Sequence, residues 1–97
     1  MQAGNTREVR KFINMAIADL GAINMMTWTD PPVWSDGETK DRVVTYRVSK
    51  ADEVAALANE MLRDVGYSNV VRVTDGESLP CGEIGAGPYI RVNAELA

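Results

Sequence analysis

The apolar positions run at a helical spacing, then at a strand spacing, and the chain goes through that change twice. Val9, Phe12, Ile13, Ala16, Ile17 and Leu20 recur at i, i+3 and i+4, which predicts an amphipathic helix with Arg7, Arg10, Lys11 and Asn14 outside the stripe. Asn5 or Thr6 is placed to cap its start, with Glu8 at the capping-box position, and Gly21 to close it. Ala22 to Thr29 then alternates as a strand and stops at Pro31-Pro32, since proline cannot donate to a ladder. Val33 and Trp34 form an apolar knuckle before the turn Ser35-Asp36-Gly37-Glu38, and Arg42 to Val48 is a second strand.

The second pass repeats this order. Ser49 is expected to cap a helix with Asp52 at the capping-box position, the stripe being Ala51, Val54, Ala55, Ala58, Met61, Leu62 and Val65, and Gly66 its stop. Asn69 to Thr74 reads as a strand, Asp75-Gly76-Glu77 as a turn, and Tyr89 to Asn93 as the last strand. A shift of 45 aligns Glu8, Val9, Asn14, Asp19, Gly21, Asn24, Thr29 and Asp30 with identical residues at 53, 54, 59, 64, 66, 69, 74 and 75. Eight identities over positions 8 to 30 exceed the roughly one or two expected of unrelated segments, which indicates an internal duplication.

The expected fold class is therefore α+β. A tandem αββ repeat, with units of about 5–48 and 49–93, forms one domain over residues 1–97. The order αββαββ is that of a circularly permuted ferredoxin-like fold, a four-stranded antiparallel sheet with two helices on one face. In that arrangement Arg42 to Val48 lies antiparallel beside Tyr89 to Asn93, and the strand after each helix is an edge. Alternation then sends Val44, Tyr46, Val48, Ile90, Val92, Val71, Val73, Met26 and Trp28 toward the helices. Met25, Thr27, Val43, Thr45, Arg47, Val70, Arg72, Tyr89 and Arg91 are left for an open face.

Residues 43 to 92 carry a strand, a helix that starts Glu53-Val54-Ala55-Ala56-Leu57-Ala58, then Gly66-Tyr67, Val71-Arg72-Val73 and Tyr89-Ile90-Arg91-Val92. Over about half of the chain this pattern is similar to the repeat of sporulation-related peptidoglycan-binding domains. The resemblance implies a ferredoxin-like topology. Here a helix and strand precede the shared part instead of following it, so glycan binding is not carried over.

Composition narrows the function. Ten basic against fourteen acidic residues leave a net charge of −4, which disfavours duplex nucleic acid and anionic membranes as partners. One cysteine, Cys81, excludes an intrachain disulfide framework, and with no signal-peptide pattern or long apolar run it points to a cytoplasmic chain. Histidine is absent, so the commonest general base and metal ligand are missing and no activating base is available to Cys81.

The expected function is that of a small non-enzymatic interaction module, with no cofactor or metal. Its open face would offer Arg47, Arg72, Tyr89 and Arg91, with Trp34 nearby, for homodimerisation or a protein partner. A solvated face with arginines lying over valines and threonines is the ordinary alternative. A small-molecule or anion-binding protein, with its site between the open face and the loops 31–35 or 82–87, is a second function, and single-stranded nucleic acid on the sheet or an enzyme stands behind it. No pair of acids is placed for catalysis. The glycines of 82–87 suit turns better than a phosphate loop, because a strand follows them.

Overall fold

The computed structural model describes residues 2–29, 33–35, 39–74 and 88–95, and for 33–35 and 39–41 the backbone alone. Pro31, Pro32, Cys81, both Asp-Gly-Glu turns and the 82–87 loop, on which the sequence places expectations, lie outside the described residues, as does the Trp34 side chain. The elements are α1 (Thr6–Leu20), β1 (Asn24–Thr29), β2 (Val33–Ser35), β3 (Thr39–Val48), α2 (Ala51–Asp64), β4 (Arg72–Thr74) and β5 (Tyr89–Glu95). Two helices and an open antiparallel sheet make this an α+β fold.

The first helix begins and ends as its sequence predicts. The Asn5 side chain accepts from the Glu8 N–H at 2.9 Å, and Gly21 ends the helix in the left-handed region at φ +62°. The second helix starts differently. Ser49 is not its cap: its hydroxyl accepts the Ile23 N–H at 2.7 Å while its own N–H donates to the Ile23 carbonyl, which extends the β1–β3 pairing by one step. Lys50 is the residue preceding the helix, at φ +55° with no side-chain cap bond, and its ammonium donates to the Leu20 carbonyl at 3.1 Å. The α1 terminus, which has no basic residue in its own last turn, thus receives a cation from the start of α2.

Strand order is β1-β3-β5-β4, with short β2 paired to the far end of β3. The pairing expected of the second and last strands is present and extends further than its sequence indicates, in register from Asp41↔Glu95 to Arg47↔Tyr89. It places Val44, Tyr46 and Val48 beside Ile90, Val92 and Ala94 on the helix side, where they meet Val9, Ile13, Ile17, Val54, Ala58 and Leu62 in one core. Each fully buried aliphatic side chain there contributes about 1.5–3 kcal/mol by leaving water.

Two expectations for β1 are corrected. Thr27 pairs with Tyr46 and Trp28 with Thr45, so Thr27 lies on the helix side, and Met26 and Trp28 lie on the opposite face. A register irregularity between Asn24 and Met26 precedes this, and the size of the indole is accommodated on the far side of the sheet. Val33 to Ser35, expected as a loop knuckle, pairs with Thr39 to Asp41.

β4 is only three residues long because asparagine side chains do the work of a ladder in the segment before it. Asn59 of α2 donates to the Val71 carbonyl at 3.0 Å and accepts the Val71 N–H at 2.6 Å. Asn69 accepts the Gly4 N–H at 2.7 Å and donates to the Asn93 carbonyl. The residues before α1 are tied in as well, through Gln2 bridging Tyr67 and the Glu95 N–H donating to the Gly4 carbonyl. Gly4 is buried, and a Cβ there would stand 2.7 Å from the Tyr67 ring.

Asn59→Ala removes both partners of Val71 and should cost about 1–3 kcal/mol in chemical denaturation. Asn14→Ala, on the exposed side of α1, should stay within about 0.5 kcal/mol of the parent. Tyr46 gives a pH test. Burial raises its phenol above the ordinary value of 10.0, against a smaller lowering by Arg10, whose carbonyl accepts the Tyr46 hydroxyl at 3.5 Å. The unfolded chain therefore loses this proton first. Stability contributed by the neutral phenol is complete below pH 10 and falls as pH rises through and beyond it, a slope that Tyr46→Phe should flatten in denaturation curves taken above and below that pH.

Candidate binding site

The face of the sheet away from the helices is built in cross-strand rows. Trp28, Thr45, Arg91 and Arg72 form one row from β1 to β4, and Met26, Arg47, Tyr89 and Thr74 the next. Val43 and Asn93 pair beyond them. Four of the five residues expected to bind are described here with their side chains. Arg47, Arg72, Tyr89 and Arg91 do share this face, while only the backbone of Trp34 is placed, on β2 opposite Lys40.

The centre of the face is filled. The Trp28 and Tyr89 rings meet edge to face across β3, with centroids 5.8 Å apart at 76°, and Tyr89 and Thr45 both have 0% exposure. Tyr89 is thus an internal group of this layer, and its expected role as a surface anchor is replaced by one in holding the face together. The Thr45 hydroxyl and the Trp28 indole N–H are buried with no hydrogen-bond partner among the described residues. Sequence reasoning missed this aromatic contact because it sent Trp28 to the core.

Toward β4 the face is accessible. Arg72 is exposed and stands directly opposite Arg91, which is half-buried and has interactions within the chain, as does Arg47. Like charges at a direct cross-strand position oppose each other by roughly 0.2–1 kcal/mol. Both guanidinium groups line a groove of about 690 Å³ with Val43, Val70, Asn93 and Glu95. It forms where β4 begins late: β4 pairs β5 only from Tyr89 to Arg91, and among the described residues no strand flanks the following residues of β5 on that side. Planar donors beside apolar bodies suit recognition of a carboxylate or phosphate.

No group of metal-ligating side chains occurs among the described residues, and no helix among them is long and apolar enough to cross a membrane. No protein family, curated protein or solved structure matches this chain.

The buried hydroxyl offers a direct test of how this face is made. Thr45→Val keeps the shape and removes the unpartnered oxygen, and should leave stability unchanged or raise it by about 1 kcal/mol in urea denaturation. A loss of more than that would mean the hydroxyl is satisfied in solution.

Proposed function

We propose that this chain is a non-enzymatic interaction module whose sheet face, on the β4 side, docks an acidic group of a protein partner. The observation that carries this reading is the Arg72↔Arg91 register at the rim of the groove. Two arginines at directly opposed positions offer a carboxylate donors from both sides, and its charge offsets their mutual repulsion. The net charge of −4 supports a local basic site for steering one partner over a generally adhesive surface. The site spans the half of the face that Trp28 and Tyr89 leave accessible.

The architecture that carries it is, in our reading, a duplicated αββ unit in permuted ferredoxin-like order within a cytoplasmic protein. Support comes from Gly21 and Gly66, 45 residues apart and both left-handed at φ +62° and +83°. Val9 and Val54, Ile13 and Ala58, and Ile17 and Leu62 are buried at the same spacing. A small anion in place of a peptide carboxylate is the second reading, favoured by the same arginine pair.

A glutamate-rich peptide and inorganic phosphate, each titrated against isotopically labelled protein, separate the two. The expected result is peptide-induced shifts at Arg72, Arg91 and Asn93, with affinity about tenfold lower in Arg72→Ala and the unliganded variant up to about 1 kcal/mol more stable. Shifts with phosphate alone would favour the small anion, and no shift with either would end the proposal.

A further inference from the structure

The two helices lie side by side on one face of the sheet, sharing one core, and their outward surfaces differ in charge. On α1, Arg7, Arg10 and Lys11 are exposed, and Arg42 of β3 emerges beside them to line a groove of about 1240 Å³ along the helix. Its acids are Glu8, half-buried, and Asp19 near the other end. On α2, Asp52, Glu53, Glu60 and Asp64 are exposed, with Arg63 the basic exception. Arg7, Lys11, Met15 and Ala18 make one outward stripe by helical spacing, and Glu53, Ala56, Glu60 and Asp64 make the other. The helical layer is therefore basic along one helix and acidic along its neighbour.

From this pattern we infer that the helical layer is a self-complementary surface, on which two copies of the chain meet face to face with α1 of each laid on α2 of the other. Charge selects this arrangement. Setting α1 on α1 opposes cations to cations, and α2 on α2 opposes acids to acids. A two-fold axis running between the layers along the helices makes both α1–α2 contacts at once and closes the assembly as a dimer. The middle of each stripe suits close approach: Met15 is 46% exposed on α1, and Ala56 is a small exposed residue on α2. A flexible thioether against a small side chain packs without a preformed pocket.

Two helices of 15 and 14 residues offer a patch of roughly 22 by 20 Å. That is below the ~800 Å² per partner of a stable complex, so the dimer is weak, dissociates on dilution and depends on salt. The sheet face lies on the other side of the molecule and stays available to the acidic partner proposed above.

The test is a charge exchange followed by sedimentation equilibrium. One variant carries Arg7→Glu and Lys11→Glu, the other Glu53→Lys and Glu60→Lys, all at exposed or half-exposed helix positions where folding can be verified by circular dichroism. The wild type should self-associate at ~0.05 M salt and lose this at ~0.5 M. Each variant alone should dissociate at least roughly tenfold more readily, because the outward stripes of both helices are then predominantly of one sign. An equimolar mixture should form a heterodimer, since a predominantly acidic and a predominantly basic layer complement each other at both contacts. A wild type that stays monomeric up to about 1 mM, a folded variant that self-associates as the wild type does, or folded variants that ignore each other when mixed would overturn the proposal. Arg72→Ala should leave the dimer unchanged, so failure of the sheet-face reading and failure of this one are read separately.

Discussion

The rest of the structure depends on the pairing of β3 with β5. These two strands share the longest uninterrupted register in the sheet, from Asp41↔Glu95 to Arg47↔Tyr89, and every assignment of a side chain to a face follows from it. Because side chains alternate, fixing Tyr46 beside Ile90 under the helices also fixes Thr45 beside Arg91 on the far side. A slip of one residue would exchange the two sets and send Arg47 and Arg91 into the core, at a desolvation cost no surface contact could offset. The sign of each face is thus over-determined, and the remaining elements attach to this pair as edges and cover.

How much of this could be read from the sequence divides along physical lines. The helices were legible because their stripes repeat every three or four residues over four turns, and because Gly21 and Gly66 mark ends where a left-handed residue is needed. The β3–β5 pairing followed from element order alone. The side on which Trp28 lies did not, since alternation states that Trp28 and Thr27 face opposite ways without stating which way is inward. Hydrophobicity argued for the core, yet Trp28 buries part of its ring against Tyr89 on the other face. A second, smaller buried layer leaves no separate mark in the pattern, because Thr45 and Arg47 read as solvent-facing on a strand.

The short β4 was hidden for a different reason. Residues 69 to 71 have strand-like sequence, but their polar backbone groups and neighbours are held by Asn59 and Asn69, and the Asn69–Gly4 bond spans 65 residues of chain. Ser49 shows the same limit at shorter range. Its position satisfies the capping rule, yet the hydroxyl goes to the Ile23 N–H, a donor at the sheet edge that would otherwise lack a partner. Local rules name what a side chain can do, and the tertiary partner selects among the options. The candidate site carries this further, because Arg72 and Arg91 become neighbours only through the β4–β5 register, while no spacing along the chain relates them.

A shared core constrains the inward residues of the two helices but leaves their outward residues free to differ. At the 45-residue spacing, Val9 and Val54 or Ile17 and Leu62 stay apolar and buried, whereas Arg7 corresponds to Asp52, Lys11 to Ala56 and Met15 to Glu60. Symmetry of sequence would have made both helices alike, and a layer of two like-charged helices repels its own copy. Opposite charge on the two outward stripes gives the surface a dipole across it, and the proposed two-fold axis would turn that dipole into attraction. The far face is built differently, with Arg47, Arg72 and Arg91 outnumbering Glu95. An excess of cations on that face suits a partner of acidic chemistry, and in the reading proposed above self-recognition is left to the helices.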